Sequence, residues 1–141
     1  MSFEDLPDEW PAIPLQDPTH IADVLDLYVS MRARHEGALV VVVCDDQRRP
    51  VQPMQIDGVG RLPPPYAADH LARMAASLAD AFPGATALFA LARRGGLSVT
   101  AGDQAWRRCV EASFSEKLPV IGFHLVTPGG SRIVHTTGAA A

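Results

Sequence analysis

The stretch Ala38-Leu-Val-Val-Val-Val-Cys44 decides the fold. Four consecutive valines are stiff at χ1 and fit a pleated strand better than a helix. A strand with one face in water alternates apolar and polar residues. This one does not, so it lies inside a sheet covered on both faces. On its C-terminal side, Asp45-Asp46-Gln47-Arg48 reads as a polar turn into Arg49 to Ile56, which makes the two runs a hairpin that Asp57 and Gly58 break. On its N-terminal side, Asp17 caps a helix with Pro18 at the first position. Ile21, Val24, Leu25 and Tyr28 follow on one helical face, and Gly37 ends the element.

Farther downstream, the three prolines before Tyr66 make an extended connector. A helix follows, with Leu71, Met74, Ala75, Leu78 and Phe82 on its apolar face, stopped by Pro83 and Gly84. Thr86 to Ala92 is a second buried strand. The loop Arg93 to Val99 leads to a helix from about Ala101 that places Trp106, Val110 and Phe114 on one side. Val120 to Val126 is another buried strand, and Thr127 to Gly130 turns into a short strand, Ser131 to His135. The expected fold class is α/β in the α+β sense, a central mixed β-sheet with helices packed on its faces. The expected organisation is an extended, proline-rich acidic arm over residues 1–18, a single domain over 19–136 and a disordered tail over 137–141. In the arm, Pro7, Pro11, Pro14 and Pro18 are read as precluding a helix.

The chain has 141 residues, room for one core. Its net charge of −4 argues against a nucleic-acid surface, which needs clustered Lys and Arg. The opening decapeptide lacks a signal peptide's basic start and apolar run, and Ala38 to Cys44 is too short to span a bilayer. Neither cysteine, Cys44 or Cys109, has the spacing of a metal knuckle or redox pair. The expected setting is the reducing cytoplasm, with no membrane and no nucleic-acid partner.

Candidate chemistry concentrates after the strand Thr86 to Ala92. Arg93-Arg94-Gly95-Gly96 stands just before a helix start, where backbone amides and two guanidiniums suit an anion; the competing reading is a solvated turn whose arginines pair with carboxylates. Thr100 and Asp103 stand three apart at that start, close to a capping box, and this outweighs a metal role for Asp103. His124 shares a strand face with Val120, Gly122 and Val126. It is read as a buried imidazole, with a pocket position opposite the arginine loop as the alternative. Asp45 and Asp46 read as turn formers, Cys109 as a packed thiol, and neither Ser98 nor Ser113 has the context of a hydrolase nucleophile.

From Gly37 to Gly130 the order of elements resembles the JAB/MPN metalloprotease-like fold, particularly its bacterial RadC-like branch. The features that carry the likeness are the hairpin, the helix, the strand leading into Thr100-x-x-Asp103, and Val120-Ile-Gly-Phe-His-Leu-Val126. The resemblance implies a zinc site in active members, built from His-x-His, a Ser-x-x-Asp and an earlier Glu. Here Ala90 and Ala92 stand at the histidine positions, and Arg49 to Ile56 offers only Gln52 and Gln55 in place of the Glu. Asp103 alone cannot hold a catalytic zinc, which takes three protein ligands. The resemblance therefore implies a pseudoenzyme without metal or cofactor.

Three functions stay open. The first is a non-catalytic protein-binding or scaffold module, whose partner or second copy would meet an edge strand or the arm with Trp10. The second is a regulatory protein binding a small anionic ligand through Arg93, Arg94, Gly95 and Gly96. The third is a hydrolase with an unorthodox site around Asp103, His124 and the loop.

Overall fold

The computed structural model describes residues 3–135. Two helices come first, α1 (Pro18–Tyr28) and α2 (Met31–Glu36), then the hairpin β1 (Ala38–Cys44) and β2 (Pro50–Asp57). The remaining order is α3 (Ala67–Ala81), β3 (Thr86–Ala92), α4 (Ala101–Phe114), β4 (Val120–Thr127) and β5 (Gly130–Ile133). The strands make one mixed sheet in the order β2-β1-β3-β4-β5. β1 pairs antiparallel with both β2 and β3, β4 lies parallel to β3, and β5 returns antiparallel to β4.

The valine run explains the layering. All seven residues of β1 are buried. Leu39, Val41 and Val43 face α3 and α4, together with Phe89, Leu91, Trp106 and Phe114. Val40, Val42 and Cys44 face the other way, into a second core with Leu15, Val24, Leu25 and Ala90. Phe89 meets Phe114 edge-on at 4.8 Å. Burying an aromatic ring of this size stabilises the fold by roughly 2–3 kcal/mol. Among the described residues no helix is long and apolar enough to cross a membrane.

Four expectations need correction. The single helix from Asp17 to Gly37 is broken at Val29, whose extended backbone follows α1; Ser30 then caps α2 by accepting a hydrogen bond from the Ala33 amide. Val29 stays buried as the pivot. The N-terminal arm is not fully extended, because single 3-10 turns form at Phe3–Asp5 and Trp10–Ala12. A proline's fixed φ suits the start of such a turn, and Pro11 stands at its second position. The arm also belongs to the domain, since Leu15 is fully buried and Leu6 and Trp10 pack beside it. The last strand starts at Gly130 and ends at Ile133, so His135 lies past it. The expected disordered tail, 137–141, lies outside the described residues.

Candidate functional site

One end of the sheet opens into a cleft of about 710 Å³. Its walls come from four places: the end of α2, the segment 59–62, the C-terminal end of β3 with the loop after it, and the first turn of α4. Two close backbone approaches shape it. Gly37 has φ 90, and a side chain there would press on the Val59 carbonyl. At Gly102 in α4 a side chain would overlap the Arg61 carbonyl. The segment 59–62 is thus a strap held between α2 and α4. Two hydrogen bonds fix it further, from Gly58 N to Gly37 O (3.0 Å) and from the Trp106 indole N–H to Gly60 O (3.0 Å).

The start of α4 is a complete capping box. The Thr100 hydroxyl accepts from the Asp103 amide at 3.1 Å, and Asp103 accepts from the Thr100 amide at 2.8 Å. Asp103 has a second task. Arg93 donates to it from Nε and Nη2, both at 2.8 Å, in a forked ion pair. Burial pulls the Asp103 pKa upward, but the bonds from Arg93 and Thr100 outweigh it and hold the carboxyl below its ordinary value. The other Arg93 protons go to the loop itself, onto the carbonyls of Arg94 (2.7 Å), Gly96 (3.2 Å) and Ser98 (3.1 Å). A guanidinium has five N–H donors, and here all five point inward. Arg93 therefore builds the loop and has no donor left for an anion.

Arg94 is placed differently. Its Nε donates to the His35 carbonyl at 2.8 Å, fixing the stem across the mouth of the cleft. Its two Nη groups, and the whole Arg61 side chain on the strap, make no hydrogen bond or ion pair among the described residues. Both arginines line the cleft. The two carboxylates that line it are already compensated, Asp103 by Arg93 and Glu36 by Arg32 at 3.0 Å. Two unpaired guanidiniums remain, beside the amides that open α4. The cleft is electropositive.

The residues singled out in the sequence thus separate. Arg94, Gly95, Thr100 and Asp103 meet in the cleft with Arg93 behind them, whereas Gly96 serves through its carbonyl. His124 does not join them. It sits in β4 opposite Ala90 and Ile133, buried away from the cleft. Burial, with His135 adding a smaller push, lowers its pKa from 6.5 to about 4. Trp10 packs edge-on against Tyr28 at 5.7 Å. Cys44 is inert, as burial and the neighbouring Asp45 charge push its thiol up to about 12. Ser113 donates to the Cys109 carbonyl at 2.7 Å within its own helix. Among the described residues no cluster of three His, Cys, Asp or Glu side chains is placed to hold a metal.

Arg61 and His35 escaped the sequence reading. Arg61 follows Asp57-Gly-Val-Gly60, which reads only as a break before prolines; nothing local brings that break against α4. No family model, curated protein or solved structure matches the chain.

Proposed function

We propose that this chain is a non-catalytic binding protein that takes an anionic group, phosphate or carboxylate, in the cleft between Arg61 and Arg94. The observation that carries this reading is the charge balance of the walls. Every carboxylate lining the cleft is already paired, and two guanidiniums are not. Guanidinium forks match planar or tetrahedral oxyanions, and such charge-assisted bonds are the stronger kind. The helix start adds amides of the same polarity. On the JAB/MPN-like reading, the metal-ligand positions are taken by Ala90, buried in the α1 core, and by Asp103, committed to Arg93 and the cap. Free thiols at Cys44 and Cys109 suit a cytoplasmic setting.

The surfaces that the sequence offered to a protein partner carry less. Trp10 is engaged by Tyr28 within the chain. The β2 edge contains Pro53, which removes a donor from the strand's open side.

Thermal unfolding with inorganic phosphate, pyrophosphate and citrate tests the proposal. At a hundredfold excess over Kd, binding adds about 2.7 kcal/mol, on the order of 8 °C in Tm for a domain of this size. The expected result is a shift for the unaltered chain with at least one of these anions, greatly reduced in Arg94→Gln and in Arg61→Gln. A shift of equal size in both variants would remove the cleft from consideration.

A further inference from the structure

Beside the cleft, across the strap, lies a second hollow of about 360 Å³. The two share Val59, Gly60 and Leu62 as a common wall. The chemistry changes across that wall. Ile56, Leu62, Pro64, Tyr66 and Trp106 line the second hollow. Two of its polar groups are spent internally, the Trp106 indole N–H on the Gly60 carbonyl and Asp57 on the Gln55 side-chain amide at 2.5 Å, and the His70 ring lies against Tyr66 with centroids 5.0 Å apart. What it presents is mostly carbon. Leu62 and Tyr66, at 62% and 60% exposure, are the most exposed large apolar residues described, and both stand on its rim. Two such side chains at the rim of one hollow form a small apolar patch beside the cationic cleft.

We infer that the ligand is an amphipathic anion, with its charged head between Arg61 and Arg94 and an aliphatic or aromatic body over the strap in the hollow rimmed by Leu62 and Tyr66. The inference rests on the anion reading above. It commits the hollow to the body of the same molecule, because the cationic cleft fixes where a negative head must sit and the shared wall fixes where the rest must go. An alkyl or aryl phosphate and a carboxylic acid of medium length carry the same chemistry, and the experiment separates them.

The test uses the full chain with Trp10→Phe, which keeps a ring against Tyr28 and leaves Trp106 as the sole indole, inside the hollow. Its fluorescence is titrated, below any micelle threshold, with inorganic phosphate and butyl, hexyl and octyl phosphate. Acetate and the matched alkyl carboxylates form a second arm, and octanol is the uncharged control. Burial of a methylene tightens binding about threefold to fourfold. The expected result is an affinity that climbs by about that factor per methylene in one arm, with octanol at least tenfold weaker than the anion of equal length. Tyr66→Ser, a change in the hollow and not in the cleft, should flatten the climb without abolishing phosphate or acetate binding. The length series on the unmutated hollow stands even if that variant folds poorly. Affinity independent of chain length, with Arg94→Gln still weakening it, would overturn the inference and leave the anion site standing. Octanol binding as tightly as octyl phosphate, untouched by Arg94→Gln, would overturn both.

Discussion

Asp103 shows how one carboxylate is committed twice. It closes the first turn of α4 and holds the Arg93 fork, and Arg93 in turn holds three loop carbonyls. His124 is the opposite case: it lies buried and its side chain, among the described residues, makes no hydrogen bond. Its pKa near 4 against 6.5 in the unfolded chain means the folded form stays neutral while the unfolded form gains a proton. Stability from this group is full above pH 6.5, falls as the pH drops toward 4, and is level below that. Relative to His124→Leu, the unaltered chain should lose about 3 kcal/mol over that window, measured by urea unfolding at stepped pH. Parallel curves for the two proteins would show that His124 is hydrated in the fold. The capping box was legible because its partners are three residues apart and the motif is local. That a loop arginine would pair with a carboxylate was legible too; that the pair is Arg93 with Asp103 was not, since it joins residues ten apart across a loop that closes back on itself.

At the scale of elements, the strap governs the site. Ala normally stabilises a helix interior over Gly by about 1 kcal/mol. Gly102→Ala should nevertheless destabilise by roughly 1–3 kcal/mol, because the added methyl meets a backbone carbonyl that cannot swing aside. Arg61 should be displaced with it, so anion-induced thermal shifts should weaken in the same variant. A gain in urea midpoint would show a freely moving strap. Most elements could be read from the chain because their signals are local: the unbroken valine run, the periodic apolar face of α3 and the cap of α4. The break at Val29 was harder. Its residues continue the helical spacing, and only the tertiary use of Val29 as a buried pivot, with Ser30 as the new cap, separates α1 from α2. The strap's place was invisible, because it is set by approaches between segments far apart in sequence.

For the whole molecule, two cores share one sheet whose outer strands are treated unequally. β5 has only four residues. β2 is twice as long and exposed along most of its length, yet Pro53 interrupts its open side opposite Val42. Pro53→Val should restore that donor and raise self-association, seen as a faster-sedimenting species in velocity runs at increasing concentration. An unchanged profile would show that the strand's twist, not its proline, protects the edge. The parallel pairing of β3 with β4 reaches further, into the birth of the protein. β3 gains β1 on one side as soon as it is made, but its other side stays bare until α4 is complete and Val120 to Thr127 has followed. A nascent chain that has emerged from the ribosome only as far as α4 therefore displays the buried residues Ala87 to Ala92 along an unpaired strand, and that interval is when a chaperone or a protease would find it.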